Sequence, residues 1–134
     1  MTSSDVLDEW RHTIEAGKLR EFLIATGNTT DAERDFIPPT FLVTAAADFI
    51  PRLLTDLLKV DRRRTLHGEQ TYEHFCPIRV GDELICTARL ESDRISESRD
   101  GSKKRIVTVT IDYIRAADGV AACRETQTII ELGQ

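Results

Sequence analysis

PPTFLVTAAADFIPRLLTDLLKV, residues 38–60, is the longest and most apolar stretch of the 134-residue sequence, and the fold turns on how it is read. On a wheel at about 100° per residue, Thr44, Asp48, Arg52, Thr55, Asp56 and Lys59 make one stripe, and Leu42, Ala46, Phe49, Ile50, Leu53, Leu57 and Val60 lie opposite. The apolar arc is the wider one. A surface helix carries a narrower apolar stripe, so the pattern predicts a long, nearly buried helix covered on more than one side by something curved. Pro38 and Pro39 fix an extended entry, and Pro39 suits an early helical position because its missing N–H costs nothing there. Pro51 is expected to kink or split the helix near Ile50.

Downstream the period changes from helix to strand. After the basic run Arg62, Arg63, Arg64 come His67 and Gly68, then aromatic and polar alternation over residues 69–76. Pro77 and a turn at Val80, Gly81 and Asp82 lead to a second strand over 84–94, in which Leu84, Cys86, Ala88 and Leu90 share a face. Arg99, Asp100, Gly101 and Ser102 make the next turn. Over 104–115, Val107, Val109, Ile111 and Tyr113 alternate with Thr108, Thr110 and Asp112, and Asp118-Gly119 closes a hairpin with the last strand, 120–132. Both faces carry some apolar residues, which suits a sheet with one face on the central helix and part of the other against a second subunit.

Upstream, Ser3 or Ser4 is expected to cap a first helix through Asp5, Val6, Leu7 and Trp10, with Asp5, Asp8 and Glu9 near its positive end and Gly17 breaking it. A second helix from Lys18 carries Leu19, Phe22, Leu23 and Ala25 at helical spacing and ends at Gly27 and Asn28, with loop over 29–39. Helices followed by antiparallel strands predict an α+β domain, a long central helix wrapped by a curved antiparallel β-sheet. The length fits one domain, residues 1–134.

A net charge of -5 with mostly scattered Lys and Arg argues against a nucleic-acid partner. Asp48, Pro51, Arg52 and Asp56 interrupt the apolar run, which makes it a poor membrane span. Cys76, Cys86 and Cys123 are an odd set without metal-ligand spacing, and no charged-then-apolar leader pattern opens the chain. The expectation is a reduced, cytoplasmic protein that binds no metal.

Four local patterns, LREFLIATGN (19–28), PPTF (38–41), HGEQTY (67–72) and PIRVGDEL (77–84), resemble the MaoC-like hotdog dehydratase and hydratase family, most closely its amino-terminal, FAS1-type half-domain. The resemblance implies a single hotdog fold. Catalytic members of that family place an Asp after the glycine and a His five residues on, a pair that acts on water and an enoyl thioester. Aligning Gly27 with that motif puts Asn28 at the acid's position and Glu33 at the histidine's. Asn28 cannot transfer a proton, and Glu33 would need a strongly raised pKa to mimic an imidazole. The resemblance therefore implies a non-catalytic hotdog subunit, in a heterodimer or dimer of heterodimers, whose catalytic partner supplies the Asp and His. The substrate would be an acyl thioester of coenzyme A or an acyl carrier protein, with no other cofactor.

On the same resemblance Pro39, Thr40, Phe41 and Val43 lie beside the acyl channel, although two adjacent prolines also have a plain structural role in aiming the helix. His67 and Gly68 either hold the thioester or, for His67, bond a nearby backbone group. Arg62, Arg63 and Arg64 either meet phosphates or an acidic carrier face, or are solvated. Two other readings stand beside the subunit: a homodimeric acyl-thioester-binding hotdog without turnover, and a small thioesterase using Asp31 or Glu33.

Overall fold

The computed structural model describes residues 5–28 and 36–133. In chain order these are β1 (Asp5–Thr13), α1 (Ala16–Ala25), a 3-10 turn (Phe41–Thr44), α2 (Phe49–Arg52) running into a π-turn (Leu53–Leu57), a 3-10 turn (Arg62–Arg64), and strands β2 (Thr65–His74), β3 (Glu83–Glu97), β4 (Lys103–Arg115) and β5 (Ala121–Leu132). The strands form one antiparallel sheet in the order β1-β3-β4-β5-β2. Strict alternation produces the three central strands. Leu84, Cys86, Ala88 and Leu90 on β3 and Val107, Val109, Ile111 and Tyr113 on β4 are all buried and turned to the helical layer. The β4–β5 hairpin turns at Gly119, whose φ of 71° is open to glycine.

The expected first helix is instead the edge strand β1. Val6, Leu7 and Trp10 mimic helical spacing because the register with β3 shifts between Val6 and Asp8, and the extra residue at Leu7 spoils the period of two. Trp10 then reaches across the core, stacked on Phe49 with ring centroids 5.0 Å apart and donating its indole N–H to Ala45 O at 3.0 Å. Gly17 breaks nothing: it lies inside α1. Ser3 and Ser4 lie outside the described residues.

The second expected helix is α1, and its end is specified as foreseen. Gly27, at φ 80°, donates to Ile24 O, and Asn28 N donates to Leu23 O at 2.7 Å, the paired bonds of a Schellman cap.

The central stretch is a chain of short turns rather than one long helix. Pro51 has no N–H, so it fits only the first turn of a helix, and α2 accordingly begins at Phe49. Ala45 to Asp48 form a turn just before it, a little earlier than the split expected near Ile50. A bond from Leu58 N to Leu53 O closes the π-turn, and Lys59 at φ 54° ends the segment. The helical wheel still sorts inside from outside: Leu42, Ala46, Phe49, Leu53 and Val60 are buried, while Asp48, Arg52, Thr55, Asp56 and Lys59 are exposed. Arg105 fastens this layer to the sheet, bonding Leu58 O at 2.7 Å and gripping Asp93 with two N–H groups at 2.9 and 2.7 Å.

Candidate ligand-binding site

The alternation of β5 turns Cys123, Glu125, Gln127, Ile129 and Glu131 inward, so three polar residues enter a face that β3 and β4 keep largely apolar. Glu125 is fully buried. Its carboxyl accepts from Tyr113 Oη at 2.7 Å, Gln70 Nε2 at 2.8 Å and Gln127 Nε2 at 2.5 Å. Gln70 Nε2 also donates to Tyr72 Oη at 2.7 Å. The register makes the cluster, since Tyr72 lies opposite Glu125, Gln70 opposite Gln127 and Tyr113 opposite Cys123. Among the described residues no cation pairs with Glu125, so these donors carry the compensation that a buried carboxyl needs.

Electrostatics around Glu125 keep its neighbours protonated. Burial first, and the charge of Glu125 second, raise the Tyr72 and Tyr113 phenols and push the Cys86 and Cys123 thiols up to about 12. The two thiols pack as small hydrophobes, as their strand positions suggest. The Tyr113 phenol is a hydrogen-bond donor here, the Tyr72 phenol accepts from Gln70, and neither is a base.

Beside this network a cavity of about 220 Å³ opens between the α2 segment and strands β2 and β5. Ile50, Leu54, Leu66 and Ile129 give it apolar walls; Arg62, Thr65, His67 and Gln127 add polar groups. Gln127, only 3% exposed, joins the cavity to the Glu125 cluster. Gly68 is the extra residue of a bulge in β2, where the register shifts between His67 and Glu69; a Cβ there would come within 2.9 Å of Ile130 Cδ1.

The other sequence-selected residues are spread over the fold. Phe41 is in the core, edge-on to Phe22 with centroids 5.3 Å apart, whereas Pro39, Thr40 and Val43 are exposed. Pro39 O is bonded to His74 Nε2 at 2.8 Å, which pins the PPTF stretch to the end of β2. Asn28 donates from Nδ2 to Thr26 Oγ1 at 2.9 Å. Asp31 and Glu33 lie outside the described residues. Of the arginines, Arg64 bonds Leu132 O and Gly133 O at 2.6 and 2.9 Å and so straps the carboxy-terminal strand, while the Arg63 side chain is 92% exposed. Among the described residues no His, Cys, Asp and Glu group has the makings of a metal site, and no helix is long and apolar enough to cross a membrane.

Sequence reasoning brought His67 and Gly68 to the cavity's neighbourhood but missed Gln70, Tyr113, Glu125 and Gln127 as a unit. The available signal was parity: Glu125 and Gln127 share the strand face of Cys123 and Ile129.

A five-stranded antiparallel sheet in this order, with the helical layer on one face, defines a hotdog-fold protein. Residues 2–124 match the family described as "FAS1-like, dehydratase domain region", and the chain belongs to that family. A UPF0336 protein of Streptomyces coelicolor is 32% identical over 96 residues, covering 62% of this chain and 64% of that protein, so the chain spans just under two thirds of its relative's length. Two solved structures from Mycobacterium tuberculosis share the fold. The HadBC (3R-hydroxyacyl-ACP dehydratase) complex matches with a TM-score of 0.64 at 20% identity, over 96% of this chain and 98% of that one. The ChsH1-ChsH2 complex matches with a TM-score of 0.63 at 14% identity, over 98% of each.

Proposed function

We propose that this chain is the non-catalytic hotdog subunit of a heteromeric (3R)-hydroxyacyl-thioester dehydratase or enoyl-thioester hydratase in the cytoplasm. Its helical layer and sheet line the acyl-binding tunnel, and a catalytic hotdog partner supplies the Asp and His. The observation that carries the reading is Asn28. It follows the left-handed Gly27 at the position of the family's acid, and its carboxamide is bonded to Thr26 instead of standing ready as a proton-transfer group. Family membership supports the reaction class, and two of the matching folds come from complexes whose names join two components.

Hydration of an enoyl thioester adds hydroxide at C3 and a proton at C2, and dehydration reverses this; both proton transfers belong to the partner's acid and base. This chain's share is binding. The cavity walls take the acyl tail, and exposed Arg63 meets the phosphates of coenzyme A or the acidic surface of an acyl carrier protein. Among the described residues edge strand β2 pairs only with β5, carries exposed Leu66 and is followed by exposed Phe75, which makes it the natural seat for the partner's sheet.

Loss of ultraviolet absorbance of a short trans-2-enoyl coenzyme A tests this directly. The purified chain alone is expected to give only the background rate, and the rate is expected to appear when a catalytic hotdog subunit encoded beside it is added. Turnover by the chain alone, or release of free thiol, would overturn the assignment and turn attention to Asp31 and Glu33.

A further inference from the structure

The open edge of β2 carries like charge on one face. Pairing with β5 sets where each residue points: Gln70 and Tyr72 turn inward to the Glu125 cluster, while Glu69, Thr71 and Glu73 stand on the outer face of the sheet, opposite Thr128, Thr126 and Arg124. All three outer residues are exposed. Among the described residues no ion pair engages Glu69. The cation opposite Glu73, Arg124, is held by Asp112 at 2.7 Å, and Arg64, just ahead of the strand, is bonded to Leu132 O and Gly133 O. The two carboxylates therefore reach the edge without a cation of their own to mask them.

A second copy of this chain fits that edge poorly. Identical strands join antiparallel about a twofold axis, and keeping each inner face inward places the axis on a residue. With the axis on Glu69, that carboxylate meets its own copy; on Thr71, Glu69 meets Glu73 on both sides of the axis, about 5 Å apart at Cβ. With the axis on Gln70 or Tyr72, carboxylates become diagonal neighbours at about 7–8 Å. Like charges placed this way weaken a ladder, and a net charge of -5 on each copy adds repulsion at longer range. We infer that β2 is an edge that rejects a second copy of this chain and accepts a hotdog partner whose own edge strand presents Lys or Arg on the outer face, against Glu69 and Glu73. This deepens the subunit reading and rests on it for β2 as the partner's seat. Backbone hydrogen bonds along the edge are alike for either occupant, so charge is what separates them.

The test begins with this chain alone. The full chain and a double variant, Glu69→Lys with Glu73→Lys, are followed by sedimentation equilibrium separately and mixed. Each alone faces like charge and is expected to self-associate weakly; the mixture, in which Lys meets Glu, is expected to associate about ten-fold more tightly. Self-association of the native chain should strengthen between about 20 and about 500 mM salt, as screening relieves the repulsion, and the mixture should weaken. Neutralising the edge by Glu69→Gln with Glu73→Gln should strengthen self-association a few-fold, which keeps the test open if the lysine variant does not fold. The catalytic hotdog subunit encoded beside this chain is expected to bind the native chain about ten-fold more tightly than the lysine variant. A mixture no tighter than the native chain with itself, native self-association that salt or neutralisation leaves unmoved, or equal binding of native and lysine forms by the catalytic subunit overturns the inference. Turnover of an enoyl thioester by the chain alone would overturn the subunit assignment, and the mixing result does not depend on it.

Discussion

The inner face of the sheet is two surfaces joined along β4. On the β3 side, Leu84, Cys86, Ala88 and Leu90 meet Val107, Val109 and Ile111 with no polar group among them. On the β5 and β2 side, buried Glu125 and Gln127 join half-buried Gln70 and Tyr72 in a hydrogen-bonded cluster. Both halves are the product of the same alternation, yet they do different physical work. Burial of apolar area is nondirectional and holds the layers together. A buried carboxyl surrounded by oriented donors gains little net stability but demands one geometry. The cavity lies against the second half only. A sheet that needed only to fold would have had no use for Glu125.

Three substitutions grade that contrast. Ile111 is fully buried between the halves, opposite Ala88 and Glu125. Ile111→Ala should cost about 3 kcal/mol through lost contacts and a residual cavity, read as a lowered urea midpoint with an unchanged slope. Tyr113→Phe keeps the ring but removes a donor from Glu125, leaving Oε1 of a buried carboxyl short of a partner. About 2 kcal/mol is expected; a loss near zero would mean that the cluster does not depend on each of its donors.

The smallest effect belongs to the ion pair at the rim of the apolar half. The Arg105 guanidinium holds the Asp93 carboxyl below the usual carboxylate range, chiefly through its hydrogen bonds. A lowered folded pKa means that the stabilisation is present above the unfolded value and disappears as pH falls through the folded one. Both side chains are partly exposed, so the contribution is at most about 1 kcal/mol. Asp93→Asn should therefore lower the urea midpoint at neutral pH and lower it by less near about pH 3, where the stabilisation is already partly lost. An equal loss at both pH values would assign the effect to packing.

Legibility from the sequence followed the same physics. β3, β4 and β5 were readable because a half-buried strand stamps its period of two on the chain, and α1 because its end carries a glycine that can go left-handed. β1 was misread for want of one piece of information: a bulge at Leu7 inserts a residue into the period, and nothing in DVLDEW distinguishes that from a helix. The central stretch kept its inside and outside but not its continuity. Burial depends on direction from the axis, which turns of different pitch share, whereas continuity depends on backbone donors, and Pro51 lacks one. The Glu125 cluster was hidden because its members lie on three strands and meet only once register is fixed. Composition could not show that a Gln on β2 and a Tyr on β4 converge on one carboxyl.

Trp10 is the chain's single tryptophan, and it ties β1 to the α2 segment by a stack on Phe49 and a bond to Ala45. The protein thus carries its own optical reporter at the seam between edge strand and helical layer. Emission from a stacked, half-buried indole shifts to the red when solvent reaches the ring, so fraying of β1 has its own colour, distinct from the far-ultraviolet dichroism that follows the sheet as a whole. Any partner or ligand that tightens this seam announces itself in that emission without a label.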